Sequence, residues 1–134
     1  MRKILLVAII SGVFFATSAA GAGETYKAVV GSDGAQHVDI LGGSYFFKPD
    51  HIIVKVNVPV EFKVRKEPGF VPHDIVIDAP IAGVYVKESL DTEPKVIRFT
   101  PNKTGRYSFY CDKSLLGFHK HRDKGMEGTL EVTE

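Results

Sequence analysis

Four side chains in this sequence belong to residue types that bind soft metal ions. Cys111 is the only cysteine among the 134 residues, His121 follows it after nine intervening residues, and Met126 follows His121 after four. His73 supplies a second imidazole from an upstream segment. Two imidazoles, one thiolate and one distant thioether form a donor set that suits copper in both of its oxidation states. These spacings predict a mononuclear copper site held by His73, Cys111, His121 and Met126.

The chemistry expected at such a site is the transfer of single electrons. Cu(I) prefers few, soft donors, whereas Cu(II) prefers more nitrogen or oxygen donors in a tetragonal arrangement. A trigonal set with a weak fourth donor lies between these preferences, so little has to move when the oxidation state changes. The donors must be held in place before the metal binds, which requires a rigid protein frame.

The frame predicted around these residues consists of β-strands. Short runs of β-branched and aromatic residues recur between turn residues, at Tyr26 to Val30, His37 to Leu41, Ser44 to Phe47, His51 to Val56, Val60 to Arg65, His73 to Ile77, Val96 to Phe99, Tyr107 to Cys111 and Thr129 to Val132. Several runs alternate apolar and polar residues, which places one face on a core and the other in water. Only the segment from Ala82 to Leu90 suggests a turn or two of helix. A single all-β, antiparallel sandwich is therefore expected.

Residues 1–22 contain the three parts of a secretory signal peptide. Two cationic residues precede an apolar run from Ile4 to Ala16, and a stretch of small residues follows. The apolar run is shorter than the roughly 20 residues that cross a bilayer. We expect cleavage after Ala20 or Ala22, which leaves residues 23–134 as a soluble, periplasmic or otherwise exported domain with no stable membrane insertion.

Charge and composition exclude other classes of protein. The 17 Lys and Arg residues are nearly balanced by 16 Asp and Glu residues, so the basic excess that binds phosphate backbones is missing and a nucleic acid partner is not expected. A charged fraction of 25% is typical of an ordinary globular protein. The length suits one domain and excludes a large multi-domain enzyme.

Four segments, in consistent order over most of residues 23–134, resemble the cupredoxins, the plastocyanin-like blue copper proteins. They are Phe47-Lys48-Pro49 followed by Ile52-Ile53-Val54, then Val71-Pro72-His73, then Gly105 to Cys111, and finally His121 to Gly128. The resemblance implies a Greek-key sandwich of about eight strands with copper near one end. It also implies a type 1 site with His73, Cys111 and His121 as equatorial ligands and Met126 as the axial ligand.

The sequence departs from the cupredoxin pattern at two points. The loop between Cys111 and the second histidine is longer than in small members of the family, and it contains His119 as a competing ligand. His121 is preferred because its spacing to Met126 matches the family, and His119 remains the second candidate. The family commonly has Asn where this chain has Asp74, and the side chain at that position ties the ligand loops together.

The segment between residues 111 and 126 is the expected docking surface for redox partners. It contains an apolar run that includes Leu115, Leu116 and Phe118, with cationic residues around it. An apolar patch fringed by positive charge, surrounding the edge of His121, favours a partner that is acidic near its redox centre. The expected partners are cytochromes or other copper proteins, and the protein itself is expected to be a monomer.

Three alternatives remain open at this point. Cys111 alone is also compatible with an inert buried thiol or a disulfide to another chain. A copper carrier or storage protein would use the same ligands in a looser, more exposed site. An enzyme is not expected, because catalysis at copper requires an open coordination position or a second metal centre.

Overall fold

The computed structural model describes residues 23–134, so the predicted signal peptide at residues 1–22 lies outside the described residues. Ten strands form the framework: β1 (Thr25–Lys27), β2 (Gln36–Gly43), β3 (Phe46–Lys48), β4 (His51–Lys55), β5 (Val60–Lys66), β6 (Asp74–Ala79), β7 (Val84–Ser89), β8 (Lys95–Phe99), β9 (Gly105–Tyr110) and β10 (Glu127–Thr133). Two short 3₁₀ helices occupy Pro80–Ala82 and Arg122–Lys124. Within residues 23–134, no helix is long and apolar enough to cross a membrane.

The strands form a sandwich of two mixed sheets. One sheet has six strands in the order β1-β4-β10-β9-β6-β7, and the other has four in the order β3-β2-β5-β8. The predicted all-β sandwich is confirmed, with ten strands instead of about eight. Three pairs are parallel, namely β1 with β4, β4 with β10 and β2 with β5, whereas the sequence predicts an antiparallel sandwich. Alternation determines which face of a strand is buried but does not select its neighbours.

The prediction of a helical turn between Ala82 and Leu90 is wrong, because this segment contains strand β7. The preceding 3₁₀ helix ends at Gly83, whose φ of 69° lies in the left-handed region that favours glycine. Beyond it, Val84 and Val86 are buried and the intervening Tyr85 is exposed. This period of two, with β-branched and aromatic residues, suits the antiparallel pairing of β7 with β6.

Alternating side chains build the core between the two sheets. In β5, Val60, Phe62 and Val64 are buried, and Lys63 between them is exposed. The ring of Phe62 meets that of Phe99 edge-on, with centroids 4.9 Å apart. Burial of one such aromatic side chain contributes roughly 1.5–3 kcal/mol. This packed core is the rigid frame that fixes the ends of the strands.

Candidate metal centre

Adjacent strands of the six-stranded sheet bring three of the predicted donors to one end of that sheet. β9 runs antiparallel to both of its neighbours, β6 and β10. His73 directly precedes β6, Cys111 directly follows β9, and Met126 directly precedes β10. The end of a strand lies beside the start of its antiparallel neighbour. The three residues therefore converge, although up to 53 positions separate them in the chain.

The segment of residues 112–120 forms a small hairpin that returns the second imidazole to the site. Ser114 and Lys120 form an isolated antiparallel bridge. At the turn between them, Leu116 has a φ of 54°, in the left-handed region that tight hairpin turns require. The backbone N–H of His121 donates to a carbonyl oxygen at the base of the hairpin, 2.8 Å away. The extra residues of this long loop thus form a hairpin that projects from the site.

A 3₁₀ helix and Gly125 carry the chain from His121 to Met126. Gly125 has a φ of 102°, a conformation that favours glycine. The N–H of Met126 donates to the carbonyl oxygen of His121 across 3.0 Å, and the N–H of Cys111 donates to the carbonyl oxygen of Met126 across 3.1 Å. Backbone hydrogen bonds therefore lock the cysteine, the second histidine and the methionine into one arrangement.

The donor atoms of His73, Cys111 and His121 face one another. The sulfur of Cys111 lies 3.5 Å from Nδ1 of His121 and 4.0 Å from Nδ1 of His73, and all three donor atoms lie within 4.8 Å of one another. Cys111, His121 and Met126 have no exposed surface, and His73 keeps 4%. Across residues 23–134, this is the only group of three or more His, Cys, Asp or Glu side chains arranged to hold a metal ion.

Burial sets the protonation of these donors. It lowers the pKa of His73 to about 4, and the charges of His121 and Lys66 act in the same direction. Burial also lowers the pKa of His121, with a further contribution from Lys124. Both imidazoles are therefore neutral near pH 7 and offer a lone pair. Burial raises the pKa of the Cys111 thiol to about 11, so a bound metal ion must displace the thiol proton.

Asp74 links two segments of the site. Its backbone N–H donates to the sulfur of Cys111 across 3.4 Å, and its carboxylate accepts a hydrogen bond from the N–H of Asp112 across 2.6 Å. Asp74 is itself buried. The side chain of Asp74 thus links the two segments, as the resemblance implies.

Tyr45 contacts the site and is not predicted from the sequence. It lies in the turn between β2 and β3 and is half-buried. Its ring centroid is 4.9 Å from that of His121 and 6.4 Å from that of His73. The ammonium of Lys124 lies 4.5 Å from the centroid of the tyrosine ring and 3.3 Å from Oη. The aromatic run of Tyr45, Phe46 and Phe47 predicts a strand but carries no sequence signal for such contacts, because they join segments far apart in the chain.

The structure separates His119 from the other donors. His119 is exposed on the hairpin and does not belong to the group that surrounds Cys111. The apolar residues Leu116 and Phe118 are also exposed on the hairpin, at 84% and 72%. The sequence predicts an apolar docking patch around the edge of His121; the structure exposes the apolar residues but leaves His121 itself with no exposed surface.

Comparison with known proteins identifies the family, although no family model matches the chain. The metal-binding domain of the Cu(I)-exporting P-type ATPase CopA of Streptococcus pneumoniae, crystallised with Cu(I), is 30% identical, with a TM-score of 0.59 over 85% of this chain and 100% of that one. Reduced auracyanin from Roseiflexus castenholzii shares the fold, at 21% identity and a TM-score of 0.52 over 73% of this chain and 97% of that one. The chain belongs to the cupredoxin family.

A further comparison supports copper as the cofactor of this cupredoxin. A copper-binding protein solved in its apo form by NMR is 25% identical, with a TM-score of 0.53 over 84% of this chain and 98% of that one. The donor chemistry fits the same ion, since two neutral nitrogens and one sulfur face one another and a thioether residue is held beside them. This cupredoxin is a copper protein whose site has the composition of a type 1 centre.

Proposed function

We propose that this cupredoxin carries single electrons between protein partners. His73, Cys111, His121 and Met126 would hold the copper ion. Bound copper supplies the electron chemistry by alternating between Cu(I) and Cu(II). The observation that carries the proposal is the enclosure of the donors, of which three residues have no exposed surface and His73 keeps only 4%. An enclosed site retains its metal and excludes water, which suits electron transfer better than metal exchange.

The protein holds these donors in place through its own backbone. Hydrogen bonds join Cys111, His121 and Met126 to one another, and the N–H of Asp74 fixes the sulfur from the neighbouring strand. Backbone groups that do not bind the metal therefore restrain the donor residues. Donors organised in advance resist rearrangement when the charge on the ion changes, and this resistance favours rapid electron transfer.

A copper carrier is the second candidate function. It is supported by the 30% identity to a metal-binding domain of a Cu(I)-exporting ATPase. A carrier must release its ion to another protein, and release requires access to the donors. The enclosure of all four donor residues makes electron transfer the first candidate.

The proposal extends to the compartment and the partners of the protein. The sequence pattern of residues 1–22 supports removal of a signal peptide, and residues 23–134 then work in the periplasm or another exported compartment. The exposed apolar tip of the hairpin supports docking of a redox partner at that surface. Catalysis is not included, because it needs an open coordination position and these donors are enclosed.

Absorption and EPR spectra of the Cu(II) protein test the ligands. We expect an intense visible sulfur-to-copper band in the wild-type protein and in His119→Ala, and its loss in His121→Ala. The two variants are matched controls, since they remove the same side chain two positions apart. A band that survives in His121→Ala and disappears in His119→Ala overturns the ligand assignment. A colourless wild-type protein in the presence of Cu(II) overturns the copper site itself.

A competition between two rates separates the two candidate functions. The reduced protein is mixed with an inorganic one-electron oxidant or, separately, with a strong Cu(I) chelator. We expect oxidation to be complete long before the chelator removes the metal. Slow oxidation together with rapid loss of Cu(I) to the chelator would favour the carrier.

A further inference from the structure

A metal ion has no open path to the proposed donors in the folded protein. The donor residues are enclosed, and even Nε2 of His121, on the far side of its ring, is buried without a hydrogen-bond partner among residues 23–134. Copper can therefore enter the folded protein only if one of the groups around the donors moves. These covering groups are strands β6 and β9, the hairpin of residues 112–120 and Tyr45. Local openings of this kind occur without global unfolding, and they involve the groups that are held least firmly.

The covering groups differ in how firmly they are held. Strands β6 and β9 lie inside the six-stranded sheet, with a hydrogen-bonded neighbour on each side. The hairpin of residues 112–120 is closed by its backbone bridge and by an ion pair of 2.5 Å between Lys120 and Asp112. Tyr45 lies in a turn, and its ring packs against the imidazole of His121 and meets that of His73 edge-on. Rotation of its side chain breaks no strand pairing.

One exposed side chain holds the ring of Tyr45 from outside. The ammonium of Lys124 is 4.5 Å from the ring centroid and 3.3 Å from Oη, and Lys124 is exposed. Exposed cation–π contacts and exposed hydrogen bonds contribute little each. The ring also packs against the hydrophobic core, but on its outer side it is held only by these weak contacts, which can break while the sheets remain intact.

We propose that Tyr45 is the movable cover of the metal centre, that its ring swings aside to admit the copper ion, and that Lys124 holds it closed. The inference rests on the proposed ligands but not on the choice between electron transfer and copper transport. It assigns a role in metal entry to the turn between β2 and β3.

Alkylation of Cys111 in the metal-free protein reports on the opening directly. Iodoacetamide reacts at fixed pH, and mass spectrometry follows the modified fraction. Lys124→Met should react faster by about fivefold, the effect of losing one weak contact, and Tyr45→Ala should react faster still. Lys48→Met is the matched control, because Lys48 lies over the ring of Phe46, 5.5 Å from its centroid. The control should react at the wild-type rate.

Two further measurements separate a cover from a merely structural residue. Opening of a side chain exposes little surface, so the alkylation rate should be nearly constant at low urea concentrations, whereas a rate that depends on global unfolding rises steeply with urea. The proposal is overturned if the alkylation rate rises steeply with urea. It is also overturned if Lys124→Met and the wild type are alkylated at equal rates. Lys120→Met breaks the ion pair of the hairpin. If this variant raises the alkylation rate and Lys124→Met does not, the hairpin is the cover and the proposal for Tyr45 is overturned.

Copper uptake provides the second readout. The visible band should appear faster after addition of Cu(II) to Lys124→Met, by the same factor as the alkylation rate. If colour forms in every variant at the wild-type rate and alkylation does not respond, the cover is disproved while the proposed function stands. If no colour forms but alkylation responds as expected, Tyr45 is supported as the cover of the buried thiol and the proposed copper chemistry fails.

Discussion

The backbone N–H of Asp74 donates a hydrogen bond to the sulfur of Cys111 across 3.4 Å. The same residue presents its carboxylate to the backbone N–H of Asp112, which is the residue after the cysteine. The N–H stabilises negative charge on the sulfur, and the carboxylate brings a negative charge close to the copper site. These two effects act on the ion in opposite directions, so they can be separated by changing the side chain alone.

Asp74→Asn should raise the reduction potential of the copper. Loss of a carboxylate charge removes a preference for Cu(II), and for one unit charge close to the site, at an effective dielectric constant of about 20, the effect is on the order of 100 mV. Redox titration of the visible band measures the shift. Asp78→Asn is the matched control, since Asp78 is exposed on the same strand, and it should leave the potential unchanged. A lower potential in Asp74→Asn would contradict the electrostatic argument.

Met126→Leu should also raise the potential and should keep the visible band. A thioether on the axis favours Cu(II) slightly, and leucine removes that donor. The exchange conserves volume in a fully buried position, so it should cost less than about 1.5 kcal/mol of stability. The reverse exchange, Leu130→Met, alters another fully buried residue of the core, inside β10, and should not change the potential. Equal potentials in the wild type and Met126→Leu would exclude Met126 as a ligand.

The metal-free protein should lose stability as the pH falls from 6.5 towards 4. The ordinary pKa of a histidine, which applies in the unfolded chain, is 6.5, whereas the pKa of His73 in the folded protein is about 4. In this interval the unfolded chain binds a proton that the folded chain does not, so acid favours unfolding. The contribution is fully present above pH 6.5, and its loss amounts to roughly 3 kcal/mol near pH 4. Urea unfolding at several pH values measures it, and His73→Gln should lack this part of the pH dependence. An unchanged slope in the variant would refute the assignment to His73.

Lys113→Glu should slow electron transfer to an acidic partner. Lys120 and Arg122 are each paired with an acidic neighbour, whereas Lys113 forms no ion pair within residues 23–134 and stands at the base of the hairpin. Reversal of its charge should lower the rate about two- to fivefold at low salt, and the difference should vanish at high salt. Lys103→Glu, at the opposite end of β9, should have no effect. Stopped-flow measurements at several ionic strengths check both variants, and equal salt dependence in Lys113→Glu and the wild type would exclude docking at this surface.

Local properties of the sequence are sufficient to predict the donor types and the class of fold. The affinity of Cys111 for soft ions belongs to its side chain, and the spacing of five positions from His121 to Met126 is spanned by one turn that ends at Gly125. Nine of the ten strands follow from alternation or from β-branched and aromatic runs. The remaining strand, β7, lies in the segment for which a helical turn is predicted, although Val84 and Val86 alternate with the exposed Tyr85. Its pairing with β6 stabilises it as a strand.

Contacts between distant segments are decided by the tertiary structure alone. Whether His119 or His121 faces Cys111 depends on how the hairpin of residues 112–120 folds, and the structure buries His121 and exposes His119. The parallel pairing of β2 with β5 and the position of Tyr45 over the imidazoles have the same origin. Residue types and periodicity are properties of neighbouring positions, whereas packing brings together positions that no short pattern relates. The sequence by itself therefore determines which donor chemistry is available, and the packing of the two sheets determines which side chains meet.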